Sequence, residues 1–117
     1  MRIGIIGSRR RKDKKAVFEL VASFPPDTIV ISGGCAGPDL FAEEAAKSAG
    51  LKTNIYLPDL PPPGSPKHEF TKAFYARNKL IAENSDIIHA FVAPDRKGGT
   101  ENTIQYAYKL KIPVIIH

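Results

Sequence analysis

Three glycine-rich segments contain the residues of this sequence that are best suited to chemistry. They are Gly7-Ser8-Arg9-Arg10, Gly33-Gly34-Cys35-Ala36-Gly37-Pro38-Asp39 and Gly98-Gly99-Thr100. Glycine lets a backbone approach a ligand closely and reach positive φ, so that successive N–H groups can point outward. A helix that begins after such a turn adds unpaired N–H groups and a partial positive charge. Phosphate is bound by both features, so the three segments predict an anion-binding site.

Side chains in and after these segments would complete the site. Three hydroxyls, on Ser8, Thr100 and Thr103, would donate hydrogen bonds. The guanidinium of Arg9 or Arg10 would add a positive charge and paired N–H donors. We interpret Asp39 first as a helix N-cap, with contact to a ribose hydroxyl as the alternative. Neither a P-loop pattern nor a G-x-G-x-x-G fingerprint is present, which argues against an ordinary ATPase or dehydrogenase.

Other reactive residue types give weaker signals. Cys35 lies at a predicted helix start, where it is either a small filler or a thiol of depressed pKa. The three histidines His68, His89 and His117 are widely separated in the sequence and lack metal-ligand spacing, so we predict no metal site. We also expect no cofactor beyond the nucleotide-type ligand itself.

The elements that must position these residues alternate along the chain. Five runs rich in isoleucine and valine are predicted strands: Arg2–Ile6, Thr28–Ser32, Thr53–Leu57, Asp86–Ala93 and Pro113–Ile116. Helical stretches separate them, which predicts an α/β, Rossmann-like, doubly wound parallel sheet of five strands with helices on both faces. In the expected order 3-2-1-4-5, strands 2, 1 and 4 are neighbours. The three glycine-rich turns should therefore meet at the carboxyl edge of the sheet.

Helix boundaries follow from capping residues. Asp13 is the predicted N-cap of the first helix and Asp39 that of the second, which should end at Gly50. Arg77 imposes a condition on the third helix. If that helix ran unbroken from Lys67, Arg77 would lie about 15 Å below the mouth of the sheet, at 1.5 Å per residue. We therefore expect a break near Tyr75 or Ala76, with the alternative that the Arg77 stem simply covers apolar surface.

Composition restricts the class of protein. The 117 residues carry a formal net charge of +5 and are 43% hydrophobic, as in ordinary globular proteins. This length predicts one domain spanning residues 1–117. The basic run Arg9–Lys15 is either a solvated helix entry or an attractor of anions. One cysteine, no signal-peptide pattern and no long apolar run predict a cytoplasmic protein without a membrane partner.

Four motifs together resemble the SLOG superfamily of Rossmann-like proteins. They are Gly7-Ser8-Arg9, the Ser-Gly-Gly-x-x-Gly-x-Asp element ending at Asp39, Arg77-Asn78 and Gly98-Gly99-Thr100. The superfamily includes the DNA-processing protein A domain, LOG phosphoribohydrolases, molybdenum-cofactor carriers and YpsA-like proteins. The resemblance implies a nucleotide or nucleotide-derived ligand and, often, a homodimer. The predicted ligand-binding residues are Gly7, Ser8, Arg9, Gly33, Gly34, Gly37, Asp39, Arg77, Asn78, Gly98, Gly99, Thr100 and Thr103.

The LOG branch carries Pro-Gly-Gly-x-Gly-Thr-x-x-Glu and an arginine on the preceding helix, which Arg77 matches. Aligned on Thr100, the sequence places Thr103 where the catalytic glutamate belongs. Glu101 comes two positions early, and two residues along a helix are a rotation of about 200°. The candidate catalytic residues are therefore Arg77 and Glu101, if the protein is an enzyme at all.

Three functions follow in order of preference. The first is binding of a small phosphate-containing molecule, a nucleotide or its derivative, on the glycine-rich loops. The second is a LOG-like phosphoribohydrolase, an N-glycosidic hydrolase acting on nucleoside monophosphates. The third is a domain that handles single-stranded nucleic acid through Arg9–Lys15.

Overall fold

The computed structural model describes all 117 residues and contains one sheet of five parallel strands in the order β3-β2-β1-β4-β5. Four helices connect the strands. The elements are β1 Arg2–Gly7, α1 Lys14–Ala22, β2 Ile29–Ser32, α2 Pro38–Ser48, β3 Lys52–Ile55, α3 Lys67–Glu83, β4 Ile87–Phe91, α4 Gly99–Lys109 and β5 Val114–Ile116. The predicted fold class and strand order are confirmed, and strand ends differ from the prediction by one or two residues. No helix has the length and apolarity needed to cross a membrane.

Two apolar layers cover the sheet because residues of the central strand alternate between its faces. Ile5 faces the layer formed with α1 and α2, whereas Ile6 faces the layer formed with α3 and α4. β1 pairs in parallel with both β2 and β4, for example Gly4 with Ile31 and with Ile88. This double burial explains why the inner strands read as continuous apolar runs.

Asp13 is the N-cap residue of α1, as predicted, whereas the predicted N-cap of α2 is wrong. Asp13 precedes α1 but makes no capping hydrogen bond, because its carboxylate pairs with the Arg11 guanidinium at 2.5 Å. α2 begins one residue before Asp39, at Pro38, and its N-cap is Gly37 with φ of 86°. Proline at the first helical position needs no N–H partner. Asp39 consequently lies inside the first turn, where its side chain can turn back towards the strands.

The expected break in α3 is also wrong, since the helix runs without interruption from Lys67 to Glu83. Its buried residues all lie in the second half: Arg77, Asn78, Ile81 and Ala82. The long connection between Ile55 and Lys67 carries the start of the helix beyond the edge of the sheet. Arg77, in the third turn, is thereby level with the carboxyl ends of the strands, and the geometric condition is met without a break.

Candidate ligand-binding cleft

A cleft of about 750 Å³ lies at the carboxyl edge of the sheet. The turn after β1, the turn after β2, helix α3 and the start of α4 all contribute to its lining. The predicted ligand-binding residues that line it are Gly7, Ser8, Arg9, Asp39, Arg77, Asn78, Gly98, Gly99, Thr100 and Thr103. The fold therefore brings parts of all three glycine-rich turns to one place.

Gly33, Gly34 and Gly37 do not line the cleft. A side chain on Gly33 would place its Cβ 2.7 Å from Arg77 Nη1, and Gly37 has φ of 86° with the Ser8 carbonyl close by. Gly34 also has positive φ, 70°. These three glycines allow tight packing of the turn against its own protein.

Asp39 organises the turns after β1 and β2. Its Oδ1 accepts a hydrogen bond from the Gly7 amide and its Oδ2 accepts one from the Gly33 amide, both at 3.1 Å. The Ser32 hydroxyl donates to the Asp39 carbonyl at 3.0 Å. Burial raises the pKa of this carboxyl to about 6, against the opposing effects of the amide hydrogen bonds and the Arg77 charge. The protein's own carboxylate thus accepts the amides that we expected to bind phosphate. We call Gly7-Ser8 and Gly33–Gly37 the braced turns.

Arg77 reinforces the braced turns from α3. The residue is only 6% exposed. Its Nη1 donates to the Gly33 carbonyl at 2.8 Å and its Nε donates to Asn78 Oδ1 at 3.0 Å. Its Nη2 lies 3.4 Å from Cys35 Sγ. Most of the guanidinium donors therefore hold protein groups, and a small part of the side chain is left for a ligand.

Asn78 connects the braced turns to the start of α4. Its Oδ1 accepts from Arg77, while its Nδ2 donates to the Gly99 carbonyl at 3.3 Å and to Asn102 Oδ1 at 3.0 Å. Thr103 is buried and its hydroxyl donates to the same Gly99 carbonyl. Both side chains position the turn between β4 and α4.

The turn Gly98–Thr100, which we call the open turn, has unused hydrogen-bond donors. No side chain caps α4, and the amides of Gly99, Thr100 and Glu101 have no acceptor in the protein. A Cβ built on Gly99 would meet only Asn78 Nδ2, at 3.9 Å, and one built on Gly98 would meet nothing within 4 Å. An anion could therefore approach this helix start directly.

Cations dominate the lining of the cleft. Arg9, Arg10, Arg77 and Lys97 contribute positive charge, whereas Asp39 is the single carboxylate. The Arg10 guanidinium is paired with Asp95 at 2.6 Å, which ties the β1 turn to the β4–α4 connection. The cleft is electropositive and suits an anionic ligand.

Glu101, a predicted catalytic residue, does not line the cleft. Its carboxylate forms a two-pronged ion pair with Arg96, at 2.9 and 3.0 Å. This pair raises the pKa of Arg96. The position of Glu101 one residue after Thr100 turns its side chain away from the cleft, as the rotation along a helix requires. The structure therefore brings Arg77, but not Glu101, to the cleft.

Sequence reasoning identified Asn78 and missed three other residues of α3 in the lining, Thr71, Phe74 and Ile81. With Asn78 they are spaced three or four residues apart and form one stripe of the helix, beside which Tyr75 lies. This stripe could have been found from its spacing. It was missed because apolar residues at such spacing usually indicate core packing.

Two histidines that are distant in the sequence meet outside the cleft. His89 Nδ1 lies 2.9 Å from His117 Nε2, and the ring of His117 stacks on Phe91. Burial lowers the pKa of both histidines. The structure contains no group of three or more potential metal ligands.

Comparison with solved structures places this fold among known ones. The X-ray structure of DNA processing protein A (DprA) from Streptococcus pneumoniae superposes with a TM-score of 0.81 over 98% of this chain, at 20% identity. The X-ray structure of TM1055 superposes with a TM-score of 0.66 over 97% of this chain, also at 20% identity. This chain spans 49% of the DprA chain and 71% of the TM1055 chain.

No protein-family model and no curated protein matches the chain. The two superpositions confirm the Rossmann-like fold that the resemblance to the SLOG superfamily implies. At 20% identity the likeness concerns the fold alone.

Proposed function

We propose that the cleft binds a phosphate-bearing nucleotide or nucleotide-derived ligand, with the phosphate at the open turn. The observation that carries this proposal is the uncapped start of α4, where the Gly99 and Thr100 amides have no acceptor within an electropositive cleft. A phosphate there would receive amide hydrogen bonds and the favourable field of the helix. Hydrogen bonds to a charged group are the stronger kind.

Side chains around the open turn support the same ligand chemistry. Lys97 and Arg9 line the cleft and form no ion pair within the protein, so their charges are available. The hydroxyl of Thr100 also makes no hydrogen bond to the protein. The Gly7 and Gly33 amides and the Gly33 carbonyl contribute rigidity instead of ligand contacts, because Asp39 and Arg77 already bind them.

Calorimetric titration with AMP and adenosine tests the proposal on the unmodified protein. AMP should bind and adenosine should bind at least about tenfold more weakly, since it lacks the phosphate. In a thermal shift assay, AMP at 100 times its Kd should add roughly 2.7 kcal/mol of stability. Equal affinity for the two compounds, or no binding of AMP, would contradict the proposal.

Two variants locate the phosphate. Gly99→Pro removes one amide donor at a helix position that proline favours, so we expect a folded protein with about tenfold weaker AMP binding. Lys97→Ala should weaken AMP binding to a similar degree. The matched control is Lys79→Ala on the exposed face of α3, which should leave the affinity unchanged. Identical losses in Lys97→Ala and Lys79→Ala would show that only net charge matters.

The hydrolase alternative is less well supported. Glu101 is paired with Arg96 outside the cleft, and Asp39 is committed to two amides. A carboxylate that stabilises an oxocarbenium-like sugar must reach the reacting carbon. We therefore assign the cleft a binding role, and incubation with nucleoside monophosphates should release no free base.

Three further expectations stay predictions. DprA is named for DNA processing, and single-stranded DNA bound to this chain through Arg9–Lys15 should dissociate steeply with log salt concentration. The expected homodimer can be measured by light scattering. The expected cytoplasmic location can be measured by cell fractionation.

A further inference from the structure

Two aromatic side chains on α3 line the same cleft as the open turn. Phe74 and Tyr75, which we call the aromatic wall, lie near the middle of α3, just before Arg77. The cleft thus combines an anion-binding end with an aromatic surface. Neither residue belongs to the glycine-rich turns.

The aromatic wall is more exposed to solvent than most aromatic side chains of this protein. Phe74 is 38% exposed and Tyr75 is 44% exposed, whereas the other five phenylalanines are half-buried or buried. The guanidinium of Arg77 lies 5.8 Å from the centroid of the Phe74 ring, within range of a cation–π contact. Exposed aromatic surface inside a cleft indicates a ligand with an apolar or aromatic face.

Apart from the Tyr75 hydroxyl, the polar side chains of α3 that line the cleft are already hydrogen-bonded within the protein. The one side-chain amide in the lining, that of Asn78, has its Oδ1 and Nδ2 engaged by Arg77, Gly99 and Asn102. The Thr71 hydroxyl donates to the Lys67 carbonyl of its own helix. Discrimination between bases depends on such donor and acceptor pairs, whereas every base has a π face that can stack.

We propose that the aromatic wall holds the nucleobase by stacking alone, so that the cleft selects nucleoside monophosphates as a class and accepts any base. This inference rests on the proposed function, because it requires the phosphate at the open turn. The phosphate and ribose would give affinity common to all ligands. Stacking would add affinity that depends on the area of the base, so purines should bind somewhat more tightly than pyrimidines.

Titrations with AMP, GMP, CMP, UMP and ribose 5-phosphate test this inference. The four nucleotides should bind within about tenfold of one another, and each should bind more tightly than ribose 5-phosphate. Tyr75→Ala should weaken the binding of the purine nucleotides on the order of tenfold or more and leave the binding of ribose 5-phosphate unchanged. Tyr75→Phe should retain nucleotide affinity, because stacking does not need the hydroxyl. The matched control is Tyr108→Ala, an exposed tyrosine on α4 outside the cleft.

The outcomes separate this inference from the proposed function. A preference for one base of more than about a hundredfold would overturn base-independent stacking. So would an equal effect of Tyr75→Ala on AMP and ribose 5-phosphate, or binding of ribose 5-phosphate with no gain from any base. In the last two cases phosphate binding at the open turn still stands. Absence of binding for all five compounds would overturn both.

Discussion

The braced turns and the open turn have similar glycine-rich sequences and opposite physical states. In the braced turns, the amides of Gly7 and Gly33 donate to Asp39, and the Gly33 carbonyl accepts from Arg77. In the open turn, the carbonyl of Gly99 is held by Asn78, but its amide has no acceptor. The Gly7 and Gly33 amides are thus satisfied by an internal carboxylate, whereas the Gly99 amide is an unused donor.

This difference shows that a glycine-rich turn at a sheet edge is not by itself a phosphate site. The amides of such a turn can bind a phosphate only if no carboxylate of the protein already accepts their hydrogen bonds. α2 begins with Pro38, which has no N–H, and continues with the carboxylate of Asp39. α4 begins with Gly99-Thr100 and is approached by the cation Lys97. In the braced turns glycine allows close packing within the protein, and in the open turn it leaves room for a ligand to approach.

The largest expected effect comes from adding a methyl group to a braced turn. A Cβ on Gly7 would lie 2.6 Å from Pro38 Cβ and 3.0 Å from Phe91 Cβ, so Gly7→Ala should lower the free energy of unfolding by about 3 kcal/mol. A Cβ on Gly99 in the open turn would meet no close atom, so Gly99→Ala should change the free energy of unfolding by less than about 1 kcal/mol. Urea unfolding of both variants measures the contrast. Equal losses would remove the distinction between the turns.

A smaller effect should appear on changing pH, through Asp39. Its pKa of about 6 in the folded protein lies above the ordinary value of 3.8, so folding favours the protonated form. The stability that this proton contributes is complete below pH 3.8 and is lost as pH rises through 6. Relative to the Asp39→Asn variant, the free energy of unfolding of the wild type should therefore fall by about 2 kcal/mol between pH 4 and pH 7.

Denaturant unfolding of the two proteins at both pH values measures this loss. Asp27→Asn, at an exposed aspartate, is the matched control and should follow the wild type. A stability difference between wild type and Asp39→Asn that does not vary with pH would contradict a buried, strained carboxyl in the braced turns.

The smallest stability effect is expected at the connection between the two regions. Asn78→Ala removes the side chain that joins Arg77 to Gly99 and should lower the free energy of unfolding by about 1 kcal/mol. Hydrogen exchange should then accelerate for the first hydrogen-bonded amides of α4 and not for the Gly7 amide. Asn84→Ala, at the exposed end of α3, should leave both exchange rates unchanged. Faster exchange at Gly7 in Asn78→Ala would mean that the regions are not separable.

Much of the fold could be predicted from the sequence because alternation and apolar runs determine it locally. Strand order, parallel pairing and the meeting of the glycine-rich turns all follow from βαβ connections. The break in α3 was wrongly expected, since the sequence does not show how far the connection after Ile55 carries the helix start beyond the sheet.

The candidate site was less predictable because it depends on single hydrogen bonds. The sequence shows that Asp39 follows a glycine-rich turn, but whether it caps its helix or accepts amides from two strands depends on where that helix begins. A shift of two residues in the N-cap, from Asp39 to Gly37, decides it. The pairing of Glu101 with Arg96 likewise depends on the left-handed backbone of Arg96, with φ of 55°.

The most direct test of the contrast between the turns is an NMR titration of the amide signals with AMP. If the phosphate binds at the open turn, the signals of Gly99 and Thr100 should shift most, and those of Gly7 and Gly33 should shift little because Asp39 holds them. Larger shifts at Gly7 and Gly33 than at Gly99 would contradict the account, since they would mean that the braced amides exchange their carboxylate for the ligand.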